Sequence, residues 1–180
     1  MTGDRLRSRP ITRLLLVVLG GFFGLVPGIW AVVLPASFYG DFPLIRPAWV
    51  AVDGPYNEHL IRDVGAMFLA LAVIALVAAV TGSAGQARLA GLAWLVFSVI
   101  HFGYHVTHLH VYSTFDQWLN VVSQVASILV ALAVVLIPPR RSGGPVRPVP
   151  PTSRRGGLFP TRSGTPARWA TAPARRTIDS

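Results

Sequence analysis

The sequence predicts an all-α fold: a bundle of four transmembrane helices followed by a disordered basic tail. Three observations carry this. Of 180 residues, 52% are hydrophobic and only 13% charged, too apolar a balance for a soluble domain of this size. The apolar residues gather into four blocks of near membrane-spanning length, each closed by a polar or Pro/Gly break. The charge is segregated, because the net +9 comes wholly from arginine, lysine being absent, and most arginines lie toward the two ends. Cysteine is absent too, which excludes disulfides, thiolate metal sites and thiol catalysis.

Residues 1–13 form a short basic segment, with Arg5, Arg7, Arg9 and Arg13 against a single Asp4. The first span follows over 14–35. It is longer than the core of a secretory signal, and Leu34-Pro35-Ala36 is a poor cleavage site, so a retained anchor is expected. Gly20, Gly24 and Gly28 recur every four residues, a flat stripe that permits close helix approach and offers a contact for a homo-oligomer. Pro27 is expected to kink this helix.

Residues 37–56 make the longest connection between spans. Phe38, Tyr39, Phe42, Trp49 and Tyr56 lie there among three prolines, the composition of a segment at headgroup level. A short helix over 44–52 is expected within it. Gly54-Pro55 is a turn signal, and Asn57 is the expected N-cap of a second span over 58–80. Two i,i+4 pairs overlap at its start, Glu58 with Arg62 and His59 with Asp63, with the acids near the positive end of the helix dipole.

The polar loop TGSAGQ is so short that the second and third spans must be neighbours. The third span is expected over 87–109 and the fourth over 117–137. Residues 138–180 are rich in Pro, Gly, Ser, Thr and Arg and cannot bury enough surface to fold. They read as a disordered tail that attracts anionic lipid headgroups but lacks the aromatic platforms of a specific nucleic-acid binder.

Arginine asymmetry sets the expected orientation. Four arginines precede the first span, Arg88 flanks the 81–87 loop and nine lie in the tail, whereas the other two loops carry mainly acids. Both termini are therefore expected in the cytoplasm of a multi-pass plasma-membrane protein, and an even number of spans agrees with that.

The third span carries the chain's most unusual stretch, SVIHFGYHVTHLH, with four of its five histidines. His101, His105 and His108 fall within an arc of roughly 60° on one helix face, and His110 points away. The fourth span carries a polar stripe of Asp116, Asn120, Ser123 and Ser127, with Gln124 beside it. Counting depth from the outer face places His59 and Asp63 on the second span level with these groups, so all could meet on one axis.

Three readings of that cluster are open. As a structural polar network, interhelical hydrogen bonds pin the bundle in register. As a metal or haem site, His59, Asp63, His101 and His105 would supply ligands for zinc, copper, iron or haem. As a proton or small-solute pathway, the imidazoles would titrate while Asp63 relays protons. No Ser/His/Asp spacing or glycine-rich loop marks a catalytic set, so no catalytic residue is assigned.

The layout of four short spans, the long aromatic first loop, PYNEHLIRDVG and HFGYHVTHLH resemble small four-helix integral membrane proteins of actinobacteria, and more loosely the DoxX-like group. The resemblance covers roughly 14–137. It implies a membrane-embedded four-helix bundle and carries over no functional residue.

Overall fold

The computed structural model describes residues 6–46 and 48–141. It is an all-α bundle with four helices long and apolar enough to cross a membrane: Pro10–Val33, Glu58–Thr81, Ala84–Thr107 and Thr114–Leu136. The first comprises α1 (Pro10–Val17), a π-helical stretch (Val18–Leu25) and α2 (Val26–Val33). The others are α4, α5 and α6, and a short α3 (Pro35–Asp41) follows α2 directly. The tail from residue 142 and the first five residues lie outside the described residues.

Three of the four long helices start at a side-chain cap, and the first opens on Pro10. The Asn57 side chain accepts from the Leu60 N–H at 3.1 Å, Ser83 from Gln86 at 3.4 Å and Ser113 from Asp116 at 3.2 Å. Gly82, at φ +66°, ends α4 in the left-handed conformation that glycine adopts without penalty. The loop between α4 and α5 thus shrinks to two residues, Gly82 and Ser83, and α5 begins three residues before the expected 87. Thr114 opens α6 likewise earlier than 117, and α5 ends at Thr107, so a 3-10 turn at Leu109–Val111 replaces its expected last turn.

Two further expectations are corrected. Residues 44–46 and 48–52 form bends and turns, because Leu44 and Ala48 adopt positive φ, 73° and 74°, which no helix accommodates. The short helix of that connection lies instead at Pro35–Asp41, with Pro35 in its first turn. Pro27 is met by the π-helical stretch just before it, whose wider turn ends with the Val26 N–H bonded to the Gly21 carbonyl.

The glycine stripe is the second correction. Gly20, Gly24 and Gly28 are buried against α4, not offered to a second copy. A Cβ on Gly24 would stand 2.7 Å from the Ala72 Cβ, and one on Gly28 3.1 Å from the Gly65 carbonyl. Small residues on α4 answer the stripe: a Cβ on Gly65 would meet Ala31 at 2.9 Å. This is close backbone packing of the kind small residues allow in lipid. Gly91 does the same for α5 against Ala131, Val134 and Val135 of α6.

Two cores result. The larger lies toward the end that holds the α4–α5 turn and includes Leu16, Leu19, Leu71, Ala75, Trp94 and Val134. The Trp94 indole N–H is satisfied there by the Leu71 carbonyl at 3.2 Å. The smaller joins Ala31, Phe38 and Ile61 at the opposite end, under Trp30, Tyr39 and Phe42.

Arginines close the helix ends. Arg13 donates to Ala79 O at 2.7 Å and Arg7 to Thr81 O at 3.3 Å, both at the end of α4. Arg9 donates to Pro138 O at 2.9 Å, just past α6, and Arg62 donates to Val32 O at the end of α2. Each cation thus lies at the negative end of a helix dipole, and all but Arg9 meet that helix's own last carbonyls. A two-residue ribbon completes that end, β1 (Leu6–Arg7) pairing antiparallel with β2 (Arg140–Arg141).

Candidate functional site

The polar groups of α5 and α6 meet in the half of the bundle nearer the aromatic loop. Antiparallel packing at Gly91 sets the register, and it brings His105 level with Asn120. Asn120 is 3% exposed, and its Nδ2 stands 3.5 Å from His105 Nδ1. Its Oδ1 accepts from Gln124 Nε2 at 3.1 Å, one helical turn along α6. Ser123 donates to the Asn120 carbonyl at 2.9 Å, a bond within its own helix. Further along, Ser98 and Ser127 hydroxyls share a buried hydrogen bond of 2.9 Å between the same helices.

His101 joins this group through its ring. It stacks on Phe97, centroids 5.1 Å apart and planes 22° apart, and meets His105 edge-on at 4.6 Å. His108 stands beyond the helix end, stacked on Tyr104 at 4.2 Å, with Nδ1 2.9 Å from the Tyr104 carbonyl. The 3-10 turn places His110 within 6.2 Å of His108, so the two do not face opposite ways.

The α4 groups stay away from this meeting. His59 and Asp63 pair with each other at 3.3 Å, as their spacing predicts, but their side chains are 86% and 62% exposed. Glu58 and Arg62 pair at 2.8 Å on the same outward side. The face of α4 that turns inward is the apolar one, led by Ile61, Gly65 and Ala72. The four residues His59, Asp63, His101 and His105 are therefore not gathered. Among the described residues no three His, Asp or Glu side chains form a group able to hold a metal ion.

Asp116 also leaves the expected stripe. It accepts from Arg46 Nε at 2.7 Å and Nη2 at 2.9 Å, from Trp49 Nε1 at 3.2 Å and from the Ser113 hydroxyl. The Tyr112 hydroxyl donates to the Trp49 carbonyl at 3.0 Å. The aromatic loop is thereby tied to the start of α6, while its other end is held by Tyr39 Oη donating to Gly54 O at 2.8 Å. The Asp116 carboxylate holds the Arg46 guanidinium above its ordinary range. Burial first, then the nearby Asp53 carboxylate and Tyr104, push the Tyr112 hydroxyl up to about 12.

Chemically the α5–α6 group offers amides, hydroxyls and imidazoles in one hydrogen-bonded seam, with no carboxylate on it. It can hold two helices in register and present an imidazole pair. Ser98, Arg46, Trp49 and Tyr112 were not marked as site residues by the sequence. Arg46 carried a signal, being the one arginine of the otherwise acidic 37–57 connection. The chain matches no protein-family model, no curated protein and no solved structure.

Proposed function

We propose that the chain is a multi-pass plasma-membrane protein with both termini in the cytoplasm, whose His105–Asn120–Gln124 group is a structural seam joining α5 to α6. The observation that carries the seam is the buried Asn120 amide, with both its oxygen and its nitrogen engaged. A buried amide left open would cost more than these bonds return, so the set acts as a register lock. The leucine-, alanine- and Trp94-filled core toward the α4–α5 turn supports a local seam over a conduit across the bilayer. The orientation rests on the arginine asymmetry.

The test uses the full chain purified in mild detergent. Metal analysis is expected to find no stoichiometric metal, the absorption spectrum no Soret band, and a chelator no change in Tm. His105→Ala is expected to cost about 1 kcal/mol through lost partners. Stoichiometric zinc, copper or iron, or a Soret band, would replace the seam by a His101–His105 ligand pair. For orientation, reporter fusions after Gly82 should read cytoplasmic and those near Gly40 or Ser113 external; the reverse pattern refutes it.

A further inference from the structure

Six of the described arginines, Arg7, Arg9, Arg13, Arg88, Arg140 and Arg141, stand at the ribbon end of the bundle, and the described acids all lie in or beside the loops at the other end. Arg7, Arg9 and Arg13 are engaged by helix-end carbonyls. Arg88, Arg140 and Arg141 have no side-chain hydrogen bond and no acidic partner among the described residues. The fold places all three at one end of the bundle. The ribbon sets Arg140 directly opposite Arg7, and like charges so placed repel. Arg88 lines the same small void as Pro139, the residue before Arg140.

A second observation at this place points to an oxygen ligand. That void, about 10 Å³, has room for roughly one oxygen atom. Ser8 lines it, 4% exposed, and its hydroxyl has no hydrogen-bond partner. The first turn of the 24-residue α5, through Ala84 and Ala87, forms another wall, at the positive end of its dipole. Apolar side chains at this end are bare: Leu89, next to Arg88, is 64% exposed, Leu6, paired with Arg141 across the ribbon, 51%, and Leu136, the last residue of α6, 67%. A headgroup with acyl chains matches cations edged by such residues, whereas a free ion would leave the apolar edge uncovered.

We propose that Arg88, Arg140 and Arg141, with the Ser8 hydroxyl at their base, bind the phosphate of an anionic phospholipid at the ribbon end of the bundle. The inference rests on the membrane placement of the spans and is independent of the seam between α5 and α6. The lipid supplies the negative charge that the fold lacks there, and its chains lie along Leu89 and Leu136.

The experiment titrates fluorescent phosphatidylglycerol into the full chain in neutral detergent. Saturable binding is expected for the parent. The variant carrying Arg88→Gln, Arg140→Gln and Arg141→Gln should bind on the order of a hundredfold more weakly. A charge-matched variant carrying Arg154→Gln, Arg155→Gln and Arg162→Gln should keep the parent's affinity. Equal loss in both variants would overturn the site, as would equal competition by phosphatidylcholine or by inorganic phosphate. If the first variant does not fold, Arg140→Gln alone, which forfeits no hydrogen bond, should weaken binding roughly fivefold. Unchanged affinity in that single variant would refute the proposal.

Discussion

Arg46 and Asp116, 70 positions apart, meet in a two-pronged ion pair of 2.7 and 2.9 Å that ties the aromatic loop to the first turn of α6. Planar guanidinium and carboxylate forks fit one another, which fixes direction as well as distance. Trp49 adds a third donor to the same carboxylate, and Tyr112 holds the Trp49 carbonyl from the side. The loop is thus fastened to the turn between α5 and α6 by residues from two separate parts of the chain.

Arg46→Gln is therefore expected to loosen the loop without unfolding the bundle. Chymotrypsin should cut between Phe42 and Tyr56 several-fold faster than in the parent, while Tm changes little, since exposed ion pairs contribute little to global stability. Raising salt in the parent should produce part of the same effect. An unchanged cleavage rate would count against the latch.

The seam makes a sharper demand on Asn120 than on its neighbour Ser123. Asn120→Ala should cost about 1 kcal/mol, because His105 and Gln124 each lose a partner at a buried position. Ser123→Ala should stay within about 0.5 kcal/mol, since that exposed hydroxyl bonds only to its own helix. Reversible unfolding in mixed micelles measures both.

Much of this was written into the sequence, and the part that was not has a physical cause. The four spans, the Asn57 cap, the Glu58–Arg62 and His59–Asp63 pairs and the Asn120–His105 level follow from period, cap chemistry and helical rise. What depth counting cannot supply is rotation about the helix axis. His59 and Asp63 stand close to the expected depth but on the wrong side of α4, because the small residues Gly65 and Ala72 claim the inward face for the glycine stripe of the first span. The pairing of those two small-residue faces was visible in the sequence. That pairing turns Asp63 outward.

That same packing predicts a contrast between two glycines three positions apart. Gly24→Ala forces a Cβ to within 2.7 Å of Ala72, so α4 or the first span must shift. A cost of about 1–3 kcal/mol is expected. Gly21 has nothing within 4 Å of the added Cβ. Gly21→Ala should be neutral or stabilising by up to about 1 kcal/mol, the helix preference of alanine over glycine. Equal effects at the two positions would contradict the close approach.

Tyr112 gives a pH dependence with a definite sign. Its folded hydroxyl is pushed up to about 12, from 10 for a free tyrosine, so the folded state holds the proton more tightly than the unfolded state. The resulting stability is complete below pH 10 and is lost as pH rises toward 12. Tyr112→Phe should flatten the alkaline limb of Tm against pH relative to the parent. It should also cost about 1 kcal/mol at neutral pH through the lost bond to Trp49. Parallel limbs in the two proteins would exclude Tyr112 as the group responsible.

The ribbon of Leu6–Arg7 with Arg140–Arg141 bears on how the molecule is built. Chains are delivered to the bilayer from the N-terminus onward, so the earliest described residues wait for the latest before they can pair. Until the fourth span has left the insertion machinery, Arg9 has no Pro138 carbonyl to meet and Arg7 has no partner strand. Assembly is then finished by a closing step that joins the first and last described residues at one end of the bundle, and a biosynthetic intermediate stalled before residue 138 would carry a first span packed on α4 but not yet strapped to the end of α6.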